Sequence, residues 1–398
     1  MQPKPKKQDY NTMLSRQIAD KLKKYETPFY LYDIALLRQT LEIASSSARQ
    51  HGYKLHYAIK ANYDSKILGI IREYGFGIDC ASGNEVRRAI EHGFDPKTIV
   101  YAGVGKRDKE IRYAIEQGIL AINCESVEEL EVINQISCEM GVTTDVALRV
   151  NPDIDPKTNR CIDTGQADSK FGISYEEVIA ETPKIQALRN LNIIGLHLHI
   201  GSQIRELHVF ENMCNKVNVI VDKLEGMGYS FRFVDVGGGL GINYDYPENE
   251  PIPNFASVFS IVHNHLEVGN KEVHFEFGRS IVGECGELIT TVMFNKTTAT
   301  GRKLLIIDAS MTELIRPMLY GSYHNIENIT TEAETTEKYT IVGTACESTD
   351  VFDSNVTMPT SRRGDLLTIK SAGAYGMSMA SNYNLHDLPG AVYSDEIE

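Results

Sequence analysis

Eight short apolar runs recur between residues 54 and 278, each followed by a stretch with helical spacing. They are KLHYAIK (54–60), GFGIDCA (75–81), TIVYAGV (98–104), ILAINCE (119–125), DVALRVN (145–151), IIGLHLHI (193–200), FRFVDVGG (231–238) and EVHFEFG (272–278). Intervening segments such as SKILGIIREYG, NEVRRAIEHG, KEIRYAIEQG and VEELEVINQI carry apolar residues at helical periodicity, and several close on glycine, a common helix stop. Eight strands alternating with helices is the count of a (β/α)8 barrel; a doubly wound open sheet would carry fewer strands before a domain change. An additional helix, ALLRQTLEIASSSARQ, precedes the first strand.

After about residue 280 the rhythm changes. ELITTVMFNKTT, KLLIIDAS, KYTIVGTA and DLLTIKS read as strands separated by turns and charged loops. The early run TPFYLYD (27–33) is also strand-like and precedes the barrel's own first strand, so it is expected to complete the C-terminal sheet. The expected organisation is a barrel over 34–279 and a β-rich domain built from 1–33 and 280–398.

With 42% hydrophobic and 24% charged residues, the chain has the make-up of an ordinary globular protein. Its net charge of −14 argues against nucleic acid, since a phosphate backbone demands a basic face. The basic residues among 3–7 read as a solvated tail. No run approaches the ~18 apolar residues that span a bilayer, and MQPKPKKQDY lacks the apolar segment of a signal peptide. Seven cysteines (80, 124, 138, 161, 214, 285 and 346) without a C-x-x-C spacing fit neither a disulfide framework nor a structural zinc site. No membrane partner and no metal are expected, and the location expected is the cytoplasm.

In a barrel, chemistry collects where strands end. The first run ends in Lys60, the second in Asp79 with Ser82 beyond, the fifth in Arg149 and Asn151, and the sixth in His197-Leu198-His199-Ile200-Gly201-Ser202. The seventh ends in Gly237-Gly238-Gly239-Leu240-Gly241 and the eighth in Glu276-Phe277-Gly278-Arg279. A lysine at a strand end is most often a snorkelling surface residue, and a glycine triplet is often just a turn. Glycines after a strand also let backbone N–H groups approach an anion. The run lies too late in the chain, before too long a loop, for a dinucleotide fingerprint, and a monophosphate suits it better. Pyridoxal 5'-phosphate needs a lysine for its aldehyde, an anion cradle for its phosphate and a charge partner for its ring nitrogen. Lys60, the glycines and Glu276 supply these, with His199 placed to lie against the ring.

These residues resemble a known family. YAIKAN, HLHIGSQ, VDVGGGLGI, EFGR, ACESTD and SAGAYGMSMASNYN are similar to the signatures of the diaminopimelate decarboxylases, in the fold-type III pyridoxal-phosphate group with ornithine decarboxylase and, more distantly, alanine racemase. The similarity runs from about residue 27 to about 384. It implies a barrel plus a β domain, and Lys60 as the Schiff-base lysine. It also implies His199 stacked on the ring, Ser202 close to the phosphate, and Gly237, Gly238, Gly239, Gly278 and Arg279 as phosphate-binding elements. Asp79 is counted with the cofactor site. By the same resemblance Glu276 pairs with the ring nitrogen, and Tyr375 reaches phosphate and substrate. Arg279, Arg316 and Tyr320 contact the substrate's distal end. Cys346 and Glu347 come from the neighbouring subunit of a homodimer, the cysteine as proton donor and the glutamate as reader of the distal ammonium. The implied reaction is decarboxylation of meso-2,6-diaminopimelate to L-lysine, the last step of lysine biosynthesis. Paired arginines beside a glutamate suit a distal group bearing both carboxylate and ammonium. A decarboxylase of another basic amino acid or a carboxylated polyamine, or a non-enzymatic pyridoxal-phosphate carrier, are the alternatives; a racemase would place an arginine at the ring nitrogen. EFGR departs from the relatives' more frequent proline at its second position, and the strand 3 exit YAGVGKRDKEI carries no assigned role.

Overall fold

The computed structural model describes residues 14–152, 154 and 169–397. The basic residues among 3–7, and Cys161, lie outside the described residues. The chain divides into two compact units, one of residues 40–241 and 254–281, the other of 14–39, 242–253 and 282–397. In chain order the strand β1 (Phe29–Tyr32) belongs to the second unit, and β2 (Lys54–Ala58) opens the first.

The first unit is a closed parallel barrel. After β2 come β3 (Gly77–Cys80), β4 (Ile99–Tyr101), β5 (Ala121–Cys124), β6 (Thr144–Asn151), the short β7 (Ile173–Ser174), β8 (Leu191–His197), β9 (Phe233–Asp235) and β10 (Glu272–Phe277). Neighbours run β5-β4-β3-β2-β10-β9-β8-β6, and pairing of β5 with β6 closes the ring, with β7 attached to β6. Each of the eight apolar runs supplies one barrel strand.

Local sequence explains the crossovers. Asp64 caps helix Ser65–Glu73 by accepting from the N–H groups of Lys66 and Ile67, and Ser82 and Ser126 cap the helices Gly83–Glu91 and Val127–Met140 in the same way. Helices Asp108–Gln117 and Val127–Met140 stop at Gly118 and Gly141, both left-handed.

Burial departs from simple alternation. Leu55, Tyr57 and Ile59 are buried as the period-two reading expects, but so are His56 and Ala58 on the opposite face. A barrel strand is covered by helices outside and filled by side chains inside, so both faces are dry. The strand also ends at Ala58, and Lys60 sits in a short 3-10 turn, Ile59–Ala61.

The second unit is a mixed sheet. Its further strands are β11 (Gly286–Thr297), β12 (Lys303–Ile307), β13 (Ile326–Asn328), β14 (Thr336–Val342), β15 (Val351–Pro359), β16 (Leu366–Ile369) and β17 (Gly390–Tyr393). The order is β13-β16-β11-β12-β14-β15, with β1 antiparallel to β11 and parallel to β17. The N-terminal run thus completes the C-terminal sheet. Ala19, Leu22, Phe29, Leu31, Ile289, Ile329 and Leu366 pack together as part of its core.

Candidate active site

Lys60 donates from Nζ to Asp79 Oδ2 at 3.0 Å, across the neighbouring strand ends of β2 and β3. Asp79 is buried whereas the lysine side chain is 40% exposed, so the amine stands at the rim within reach of a ligand. Burial, with the nearby Glu276 charge, raises the Asp79 carboxyl despite the lysine.

Glu276 lies on β10, which pairs with β2 so that Glu276 stands opposite His56. Its carboxylate is buried, and Oε2 accepts from His197 Nε2 at 3.2 Å. Burial works against its ionisation, but His197 and Lys60 outweigh that and hold the carboxyl below its usual range. Oε1 is buried and has no hydrogen-bond partner among the described residues.

The glycine run follows β9. A Cβ on Gly238 would stand 1.9 Å from the Glu276 carbonyl oxygen, and one on Gly237, at φ +69°, would meet His199 Nδ1 at 2.5 Å. Only glycine lets this backbone pass. The Gly237 N–H donates to Asp235 Oδ1 at 2.9 Å and the Gly238 N–H to His199 Nδ1 at 3.2 Å. These two N–H groups are therefore committed inside the chain, which leaves Gly239, Gly278 and Arg279 as the backbone candidates for an anion. The bond from Gly238 also sets the tautomer of His199: Nδ1 accepts, so the proton sits on Nε2. Burial and the Lys60 and Arg149 charges push His199 down to about 3, so the half-buried imidazole is neutral at pH 7.

Arg279 is buried and donates to Ser202 Oγ from Nε at 3.2 Å and from Nη2 at 3.0 Å. One hydroxyl thus holds a cation at the mouth of β8 and β10.

Three features of this unit went unread in the sequence. His197, which the sequence shows only as one of the polar groups ending the sixth run, holds Glu276. Asp235, inside VDVGG, anchors the first glycine. Glu125, at the end of β5, accepts from Arg149 Nη1 at 2.6 Å and from the N–H groups of Gly103 and Gly172, both at 2.8 Å. Gly103 belongs to the strand 3 exit loop, which also carries Lys106. That lysine's buried amine donates to the Gly103 and Asn123 carbonyls and to Glu129 Oε1. The loop is a brace. The signal available in sequence was the row of charged residues at strand ends, which says nothing of who pairs with whom.

The remaining predicted residues lie in the second unit. Arg316 begins the short helix Arg316–Tyr320 and is buried, with Nη1 donating to Tyr244 Oη at 2.6 Å and Nη2 to Ser322 Oγ at 3.1 Å. Its guanidinium also lies over the Tyr244 ring at 5.0 Å. Tyr320 is half-buried at the end of the helix. Cys346 and Glu347 are exposed; the Cys346 N–H donates to Asn384 Oδ1 at 2.8 Å, and Glu347 Oε1 accepts from Tyr383 Oη at 2.5 Å. Tyr375 holds a left-handed φ of +57°, followed by Gly376, where a Cβ would collide with Tyr30 Oη at 2.4 Å.

Residues 36–283 match the family model described as "Pyridoxal-dependent decarboxylase, pyridoxal binding domain". The chain is 46% identical over 380 residues to a diaminopimelate decarboxylase of Bacteroides thetaiotaomicron, covering 95% of this chain and 98% of that one. It is 38% identical to the Zymomonas mobilis diaminopimelate decarboxylase, covering 92% and 87% respectively. Among solved structures, the Helicobacter pylori diaminopimelate decarboxylase complexed with L-lysine superposes with a TM-score of 0.89 at 35% identity, covering 96% of this chain and 95% of that one. The match across the barrel makes this chain a pyridoxal-phosphate enzyme of the decarboxylase class. Within that class the chain belongs to the diaminopimelate decarboxylase family.

The residues present fit pyridoxal 5'-phosphate. A buried carboxylate oxygen lacking a donor on Glu276 matches a protonated ring nitrogen. The partly exposed Lys60 amine matches the aldehyde. Gly239, at φ +104°, where a Cβ would lie 2.7 Å from the Gly201 carbonyl, matches a phosphate at close backbone approach. Among the described residues no helix is long and apolar enough to cross a membrane.

Proposed function

We infer that this chain releases CO2 from meso-2,6-diaminopimelate to give L-lysine, the closing step of lysine biosynthesis. The observation that carries the reading is Glu276: a buried carboxylate held as an anion, with a donorless oxygen, on the strand beside the one that leads into Lys60. When bound, the cofactor supplies an electron sink for the bond that breaks, and an anion at its ring nitrogen strengthens that pull.

The chain's own residues divide the remaining work. Lys60 would hold the cofactor's aldehyde through its amine. Neutral His199 offers an uncharged face to the ring, and Asp79 orients the lysine. Ser202, Gly239, Gly278 and Arg279 hold the phosphate, while Gly237 and Gly238 serve by letting the backbone pass. Arg316 and Tyr320, with Arg279, bind the distal carboxylate, and Tyr375 reaches phosphate and substrate. In a homodimer, Glu347 of one subunit reads the distal ammonium at the other subunit's site. Cys346 Sγ then returns a proton to the carbon that CO2 has left. A subunit interface over the site excludes water while that carbon is reactive. The free cysteines Cys80, Cys124, Cys138, Cys214, Cys285 and Cys346 suit a reducing cytoplasm.

CO2 release from meso-diaminopimelate, ornithine, arginine and lysine, with pyridoxal 5'-phosphate added and Lys60→Ala as control, tests this. Release from diaminopimelate alone, abolished in the control, is the expected result. Release from another amino acid would overturn the roles of Arg316 and Glu347; cofactor binding through Lys60 without release from any would favour a carrier.

A further inference from the structure

Barrel interiors are ordinarily filled by branched aliphatic side chains. Here five titratable groups, His56, His197, Asp235, His274 and Glu276, are all buried in one barrel. His197, Asp235 and Glu276 each offer a polar atom within 4.8 Å of the other two, and so do His56, Asp235 and His274. Asp235 is the member common to both groups.

The hydrogen bonds fix most of the protons. His56 Nδ1 lies 3.1 Å from the Thr98 carbonyl, which only accepts, so Nδ1 carries a proton. His56 Nε2 lies 3.1 Å from His274 Nδ1, and in neutral rings His274 is then the donor. Burial lowers both imidazoles, His274 to about 2, so neither is a cation at pH 7. Asp235 Oδ1 accepts from the Gly237 N–H, and Oδ2 accepts from no donor among the described residues but stands within hydrogen-bonding reach of the Glu276 carboxylate. The groups facing Asp235 are therefore two neutral imidazoles, His197, the Glu276 carboxylate and, further off, Asp79. Two dry carboxylates at this separation do not both ionise. Burial and the Glu276 charge raise Asp235 far above its usual range, while Glu276 is lowered. The proton belongs to Asp235.

We propose that His197 and Asp235 are positioning residues that clamp Glu276 from two sides, His197 donating from Nε2 and Asp235 donating as a neutral acid, and so keep Glu276 an acceptor for the ring nitrogen. The arrangement rests on the pyridoxal-phosphate reading of the site. It gives Asp235 two duties, with Oδ1 fixing the glycine turn and Oδ2–H fixing the glutamate. A side-chain amide can perform both duties.

The test is the 15N resonance of pyridoxal 5'-phosphate labelled at its ring nitrogen, bound to the full-length protein and to the variants His197→Leu, His197→Gln, Asp235→Leu and Asp235→Asn. In the parent protein the resonance is expected at the protonated position. His197→Leu and Asp235→Leu move it toward the unprotonated position, and cofactor affinity falls by about 10-fold, the equivalent of one buried hydrogen bond. Asp235→Asn and His197→Gln, which keep a donor toward Glu276, hold the resonance near the protonated position. If a leucine variant does not fold, Asp235→Asn decides: a shift to the unprotonated position means that Asp235 acts as an anion, and the clamp is wrong. A protonated resonance in every variant overturns the clamp and leaves the cofactor reading intact. Failure of the parent protein to bind the cofactor through Lys60 overturns both.

Discussion

Tyr244 makes two contacts to Arg316, a hydroxyl that accepts from Nη1 and a ring face under the guanidinium. A buried cation without its acceptors is costly, and a hydrogen bond to a charged group contributes about 1.5–3 kcal/mol. Tyr244→Phe removes the hydroxyl and keeps the ring, so the arginine stays packed but loses a fixed direction. Steady-state kinetics on meso-diaminopimelate are expected to show KM raised about 10-fold, with kcat within a few-fold. An unchanged KM would mean that Arg316 does not hold the substrate. At this scale the sequence tells unequal amounts. Lys60 stands out only in company with the glycines and Glu276 at the other strand ends, and Arg316 only through the family resemblance. Tyr244 lies in NYDYPENEPIPN, a loop whose composition gives no reason to prefer one tyrosine over another. His197 and Asp235 were hidden differently: each is one polar residue in an alternating strand, and its meaning lies in a neighbour tens of residues away.

The elements follow the same division. Every barrel strand was visible because burial on both faces leaves an apolar run of fixed length. Helices between the first strands showed through apolar periodicity and glycine stops. In the second unit β11, β12, β14 and β16 were visible, but β13, β15 and β17 were not. β15, VFDSNVTMP, ends the sheet path and buries only Phe352 and Met358, so no apolar run marks it. Loop bracing was also illegible. Glu125 ties β5 to the strand 3 exit through Gly103, to β6 through Arg149 and to Gly172, and its carboxylate is buried. Burial alone would raise it, but Arg149, Lys106 and the two backbone donors hold it below its usual 4.5. A carboxyl lower in the folded chain than in the unfolded one stabilises fully above 4.5, and that contribution is lost as pH falls through the lower folded value. Glu125→Gln leaves Arg149 buried without its counter-charge, and a broken buried pair costs about 3–5 kcal/mol. Denaturation midpoints are therefore expected to differ most between parent and variant at pH 7, and to converge as the pH is lowered past 4.5. A gap that stays constant on acidification would mean that Glu125 acts by shape alone.

For the whole molecule, the proposed division of labour places the lysine and the proton donor on different subunits. Lys60 and Glu276 lie in the barrel unit, and Cys346 and Glu347 in the sheet unit, where both are exposed. Both side chains are exposed, so burial in the core of their own chain does not account for them, and their role is sought in an assembly. A symmetric dimer contributes the same patch twice, so two sites arise, each needing one intact barrel and one intact loop. This predicts complementation. Lys60→Ala and Cys346→Ala proteins are each expected to be nearly inactive in homodimers. Unfolded together and refolded, they form mixed dimers as half of the population, and each mixed dimer carries one site with both residues intact. Activity is then expected to recover to about one quarter of the parent value. If lysine and cysteine acted within one chain, no mixed dimer would hold an intact site and the mixture would stay inactive. With a different affinity tag on each variant, co-purification of the two subunits separates that outcome from failure to form mixed dimers.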